Sequence, residues 1–359
     1  MTSKFYTIDL QLFGAGETVH GTEGYVNAND SERSVAYSEA GGLSAEMKTF
    51  YDKTLIELAG PSLVFDQFAQ KRPIPKGGGK SIEFRKFNSL PKALTPITEG
   101  VTPSASKLSV VPVTATVDQY GDYVELTDMI ELTSVDPIVV EATKQLADQA
   151  GRTIDTVVRN QIMGGTNVCY CPLVGADGSE TEITLRNQLT ADCKLRVKDV
   201  FRAAAMLKAM NAPTFDGSYV AVIHPYVAYD LMQDAKGQWL DIQKYADPAA
   251  ILKGEIGTLG GVRFVQSTEA KIYVGDEGGK DGTAVFCTLF IGANAYGTTD
   301  IAGGGIEHIV KQKGYGNDPL NQRSSVGWKA TKVATRLVEE YMLRVESGSS
   351  FSATVTEEN

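Results

Sequence analysis

Cysteine, histidine and tryptophan are all scarce in this chain: its 359 residues hold four, three and two of them. The cysteines, Cys169, Cys171, Cys193 and Cys287, are too few and too scattered for a disulfide framework. Cys169 and Cys171 would share one face of a strand, but a structural zinc site wants four ligands and no second pair follows. Buried free thiols in a reducing cytoplasm are the expectation. The histidines, His20, His224 and His308, fit no metal-binding spacing, and no G-x-S-x-G nucleophile elbow is present. His224 ends an apolar run before Pro225, where a structural role is expected; His20 and His308 are expected at the surface. Long apolar runs are missing too, and none nears the ~20 residues that span a bilayer. "IDLQLFG" is too short and too interrupted for a signal segment. A soluble chain made in the cytoplasm, with no membrane partner, is expected. Basic charge is short: 34 Lys and Arg face 44 Asp and Glu, a net charge of -10. Such a chain is not expected to grip nucleic acid over its whole surface, because phosphate contacts need Lys and Arg.

Glycine, by contrast, is plentiful, and "KGGGKSIEFRKF" (76–87) has the look of a phosphate loop. The motif G-x-x-x-x-G-K-[ST] wants glycine where Ile74 stands, a core strand before it and a helix after it. Upstream lies Arg72-Pro73-Ile74-Pro75; downstream Ile82 and Phe84 alternate with Glu83 and Arg85, the period of a strand. A bend into a hairpin is the better reading. "GEIGTLGG" follows no strand and lacks the dinucleotide fingerprint. "GDEGGKDG" lacks the calcium-loop pattern and reads as a polar turn. No cofactor and no catalytic residue is indicated.

What is present is a particular order of segments. Residues 1–43 are rich in polar residues and glycine, with few apolar positions beyond Ile8, Leu10, Leu12 and Phe13, and cannot fold alone; they read as an arm with a small docking patch. A helix is expected after Ser44, ended by Gly60-Pro61, and a shorter one at Leu63, Val64 and Phe68. Residues 76–126 read as a long two-stranded excursion, out along Ser81–Phe87 and back along Leu108–Leu126. An isolated hairpin is marginal in water, so this one needs something to lie against, and nothing local offers it. Lys71 to Lys92 carries seven basic residues against Glu83 alone, whereas residues 1–60 carry nine acids against four bases. That polarity suits charge complementarity between copies.

Asp136-Pro137 then opens a helix of roughly 27 residues and ~40 Å to Met163, stopped by Gly164-Gly165. Its i,i+4 pairs Lys144–Asp148, Asp148–Arg152 and Asp155–Arg159 are expected on the solvated side. From Val197 to Tyr296 helix and strand alternate: helices at Val197–Met210 and Val227–Asp234, strands at "SYVAVI", Lys271–Val274 and Ala284–Phe290. Gly327–Glu346 reads as strand.

This order, with the stretches "LQLFG", "LTPITEGVTPS", "DQYGDYVELTDMIELT", "VDPIVVEATKQLADQAGRTIDTVVRN" and "KGEIGTLGGVRFVQS", resembles the major capsid proteins of tailed phages and prophages with the Hong Kong 97-type fold. The likeness runs from about residue 8 to 345. It implies an α+β fold with an N-terminal arm (1–70), an extended β-hairpin loop (71–126), a peripheral domain (127–196 and 301–359) with its spine helix at 137–163, and an α/β axial domain (197–300). It implies a shell protein rather than an enzyme, partnered with itself as pentamers and hexamers, and with scaffolding, portal and decoration proteins. The shell would enclose double-stranded DNA without reading its sequence, in a virion assembled in the bacterial cytoplasm. The expected assembly contacts are Leu10, Leu12 and Phe13 on the arm, and Lys76, Lys80, Arg85, Lys86, Leu94, Ile97, Glu99 and Val101 on the loop. Two other readings stay open at this point: a cargo-enclosing encapsulin-type shell, and a cytoplasmic enzyme with a site near His224.

Overall fold

The structure is a computed structural model that describes residues 63–73, 80–87, 90, 92–97, 99–100, 102, 105–134, 138–175, 177–235, 240–241, 252, 254–300, 306–316 and 318–359. The arm, the helix expected after Ser44, and Asp136-Pro137 lie outside these residues. The chain divides into two compact units, one of residues 1–58, 120–150 and 306–330, the other of 59–119, 151–305 and 331–359.

The second unit is built on an eight-stranded mixed sheet. Its central strands, Tyr219–Ile223 and Val285–Ile291, are buried at every position. "YVAVI" and, apart from Thr288, "VFCTLFI" are apolar throughout because both faces of the sheet are covered, so alternation has no advantage there. Tyr219–Ile223 runs parallel to Val262–Gln266 and antiparallel to Val285–Ile291, which pairs in turn with Met342–Ser347. Helices Val197–Ala209 and Pro225–Ala235 contribute Val200, Leu207, Val227 and Leu231 to a core with Phe264, Phe286 and Phe290. A second core gathers Phe65, Phe68, Val158, Ile162, Leu289 and Tyr296. Between Val197 and Tyr296 the expected helices and strands fall within two residues of those observed, whereas the strand expected over Gly327–Glu346 is three, Arg323–Lys332, Ala334–Arg336 and Met342–Ser347, with a 3-10 turn at Glu339–Tyr341. "GEIGTLGGVRFVQS" is itself a tight hairpin, Glu255–Leu259 against Val262–Gln266, turning at Gly260-Gly261 with both φ positive. The sequence reading passed over it because glycine masks the strand period. "GDEGGKDG" forms two short turns between Ile272–Tyr273 and Val285–Ile291.

In the first unit, strand Arg323–Lys332 lies between Ile306–Lys311 and Asp118–Thr127. Trp328 is buried at its centre, and its indole N–H reaches Gln149 Oε1 at 3.3 Å, whose amide donates to Asp122 at 2.6 Å. A short helix, Asp128–Thr133, follows the third strand.

Four expectations need correction. The returning strand of the hairpin breaks at Val117: Val110–Thr116 pairs with Ser81–Phe87, whereas Asp118–Thr127 joins the other sheet. The expected helix near Leu63 is a single 3-10 turn, Phe65–Phe68. His308 is not at the surface but 2% exposed, facing Trp328 across the strand pair. The spine helix runs Ile138–Met163 as expected, yet Asp155 and Arg159 are buried rather than solvated. Arg159 donates to Glu269 O at 2.7 Å and Asn359 O at 2.9 Å, and Lys144 pairs with Glu141 at 2.7 Å. Spacing on one helix cannot reveal a partner that arrives from a loop more than 100 residues away.

Candidate assembly surface

Among the described residues the hairpin is anchored near its base. Its base closes where Val117 N donates to Lys80 O at 2.7 Å, and seven residue pairs register Ser81–Phe87 against Val110–Thr116. Ile82 and Phe84 are its only buried side chains among the described ones; none of Val110–Thr116 is buried. The Phe84 ring occupies the space over Gly297, where an added Cβ would lie 2.4 Å from Cε1. The Arg72 guanidinium stands 5.8 Å from the same ring.

Beyond those two residues the hairpin offers its surface to solvent. Lys80 and Arg85 are exposed and Lys86 half-buried; Arg85 pairs with Glu83 at 3.0 Å, and Lys86 lies 4.0 Å from Glu340. Leu94 and Ile97 are 82% and 77% exposed, and Glu99 is exposed as well. Of the expected contacts, Leu10, Leu12, Phe13, Lys76 and Val101 lie outside the described residues. Leu90, Leu108, Val110 and Val111 were not anticipated and are also exposed. Their signal was in the sequence: apolar side chains in a proline-rich stretch that no local element could cover. Water contact on this many apolar groups is unfavourable, and contiguous apolar surface marks contact sites.

The other candidate, His224, sits in an apolar setting. Its Nδ1 accepts the Tyr226 N–H at 3.2 Å, and its ring packs 5.0 Å from Phe286 and 4.9 Å from Tyr226. Burial holds its pKa down at about 4, so it is neutral at physiological pH and already committed as an acceptor. The arrangement is that of a helix-entry cap. Ser81 leads into a strand, not a helix, which removes the phosphate-loop reading. Among the described residues no group of His, Cys, Asp and Glu has metal-binding geometry, and no helix is long and apolar enough to cross a membrane. Cys171, Cys193 and Cys287 are buried and Cys169 half-buried, all as free thiols; burial pushes the Cys171 and Cys169 thiols up.

A family model described as "Phage capsid protein" matches residues 110–344, well over half of the chain. The chain belongs to the phage capsid protein family. Solved structures of similar fold include the capsid of Ralstonia phage GP4, at 14% identity and a TM-score of 0.63, covering 79% of this chain and 87% of that one. The capsid of cyanophage P-SCSP1u follows at 15% identity and 0.56, covering 80% and 89%. The head of Helicobacter pylori bacteriophage KHP40 gives 11% and 0.53, covering 80% and 90%. No curated protein matches the sequence. This capsid protein therefore has the Hong Kong 97-type α+β fold and forms the head shell of a phage. The encapsulin-type and enzyme readings are not favoured.

Proposed function

We propose that copies of this capsid protein close into an icosahedral shell by exchanging extended segments between neighbours, and that the shell holds the double-stranded DNA of a tailed phage. The observation that carries this is the hairpin: rooted by two buried side chains, it leaves Leu94 and Ile97 in water. Burial against a neighbour removes that cost, and exchanged segments can build obligate interfaces of ~2,000–5,000 Å². Residues 71–126 would be the loop laid across the adjacent subunit, and residues 1–70 the arm. Residues 127–196 and 301–359 would form the peripheral domain, and 197–300 the domain gathered at the five- and six-fold axes. Leu10, Leu12, Phe13, Lys76, Lys80, Arg85, Lys86, Glu99 and Val101 complete the proposed contacts. The net charge of -10 suits a wall that confines DNA without trapping it, since few cations are offered to phosphate. Scaffolding, portal and decoration proteins would join during assembly in the bacterial cytoplasm, and no catalytic step is required of this chain.

Negative-stain electron microscopy of the purified protein, paired with size-exclusion chromatography, tests the reading. Closed shells or rings of five or six subunits are expected. A protein that stays monomeric at high concentration, with and without a scaffolding partner, would overturn it. Nuclease-resistant DNA inside shells from infected or induced cells tests the genome.

A further inference from the structure

Asp66 and Lys332 lie 266 residues apart in sequence and meet inside the second unit, with Lys332 fully buried and Asp66 nearly so. Asp66 belongs to the 3-10 turn whose Phe65 and Phe68 join Val158 and Tyr296 in an apolar cluster. Lys332 Nζ contacts Asp66 Oδ1 and donates to Thr299 O at 2.7 Å. On the other side of the carboxylate, Lys71 Nζ approaches Asp66 Oδ2 to 2.9 Å from a part-exposed side chain. A second acid borders the same turn. Asp155 Oδ1 accepts the Phe65 N–H at 2.8 Å, while its Oδ2 is buried with no hydrogen-bond partner among the described residues.

We propose that Lys332 and Asp66 become joined by an isopeptide bond within one subunit, closing after the chain has folded. The Lys332 amine attacks Asp66 Cγ, and a C–N bond forms as the Cγ–Oδ1 bond breaks. Ammonium and carboxylate together hold the atoms of one amide plus one water, so the step balances with no co-reactant. Each neighbour has a part. Thr299 O fixes the amine and can accept the N–H of the new amide. Lys71 places positive charge at Oδ2, the oxygen that is retained and carries the negative charge of the tetrahedral intermediate. The two protons that nitrogen gives up pass to Oδ1, which leaves as water.

One further observation fits. Burial lowers the Lys332 pKa, which favours the neutral, nucleophilic amine. The fold supplies proximity, holding the reacting atoms together as an intramolecular pair. The product replaces two ions in an apolar cluster, whose desolvation is costly, with one neutral amide.

Peptide mapping by mass spectrometry of the full-length chain, denatured before digestion, decides the matter. Expected is a branched species joining the peptides of Lys332 and Asp66, lighter by one water than their sum, with trypsin no longer cutting after Lys332. Recovery of Lys332 only in unlinked peptides overturns the proposal. One variant separates chemistry from packing. Asp66→Asn removes the ion pair yet should yield the same link, now with loss of ammonia; its absence from folded Asp66→Asn protein would count against amide formation.

Discussion

The root of the hairpin makes a quantitative prediction. Replacing Phe84 by Ala removes one of the two buried side chains that Ser81–Phe87 has among the described residues. A fully buried Phe→Ala change costs about 3–5 kcal/mol, the lost transfer energy plus the cavity. Here the loss should fall on the hairpin rather than on the whole unit, because no side chain of Val110–Thr116 is buried and the hairpin has little else to hold it. Hydrogen exchange on subunits kept unassembled should therefore show amides in 81–87 and 110–116 losing protection by roughly 10²–10³-fold, at about 1.4 kcal/mol per tenfold. Amides of Val285–Ile291 should keep theirs. Gly297→Ala offers an internal check, since its Cβ would collide with the Phe84 ring at 2.4 Å. That single change should mimic Phe84→Ala, and the double variant should be milder than the sum, because the vacated ring leaves room for the methyl group. Unchanged exchange in the hairpin of Phe84→Ala, or strict additivity in the double variant, would refute the idea that this contact roots the hairpin.

Further outcomes are expected elsewhere. Leu94→Asp with Ile97→Asp should leave the melting temperature of the unassembled protein unchanged, since both side chains are exposed, yet abolish shells in the electron microscope. Glu346, fully buried, accepts from Arg186 Nε and Nη2 at 2.6 and 2.7 Å and forms an ion pair with Arg344 Nε at 2.8 Å. Glu346→Ala strands two guanidinium groups and should lower stability by about 3–5 kcal/mol in denaturant titration. His224 titrates at about 4 when folded against 6.5 when free. The unfolded chain therefore takes up the proton first as pH falls, and stability should be steady above pH 6.5 and decline toward pH 4, by up to about 3 kcal/mol. His224→Phe should flatten that slope in unfolding measurements across the same range.

Local rules were enough to place most of the elements. Helix Val197–Ala209 and strands such as "YVAVI" stand out because apolar period and length agree. The hairpin was legible through a mismatch, a strand pattern with no local cover. What stayed hidden involved long-range partners. Asp155 and Arg159 have the spacing of a surface pair, and only the arrival of the Phe65 turn and the Glu269 loop shows them to be interior groups. His308, beside Glu307, carried no sign that Trp328 would stand opposite it. Val117 ends one strand pairing and Asp118 begins another, a choice made by the competing edge of Arg323–Lys332 and invisible in the apolar alternation of 108–126. Of the candidate contact residues, side-chain type identified the exposed ones, but nothing in type distinguished Phe84, which anchors, from Leu94, which is free.

That distinction explains why the hairpin can serve an assembly. Gln70–Arg72 pairs in parallel with Tyr296–Thr299, Asp66 is gripped by Lys332 and Lys71, and Phe84 fills the space over Gly297, so the polar and apolar anchors all lie at one end. Breaking the Asp66–Lys332 contact would leave a buried charge uncompensated, and the proposed amide would fix it outright, so the root is stiff rather than merely adherent. The far end does the reverse, with Leu94 and Ile97 left unsatisfied inside their own subunit. Had Leu94 and Ile97 been buried against their own unit as Ile82 and Phe84 are, the loop would have had little left for a neighbour. A stiff root with an uncovered tip gives a loop whose contact energy is released only when a second copy arrives, so the cost of ordering it is borne before assembly and the interface keeps more of what it gains.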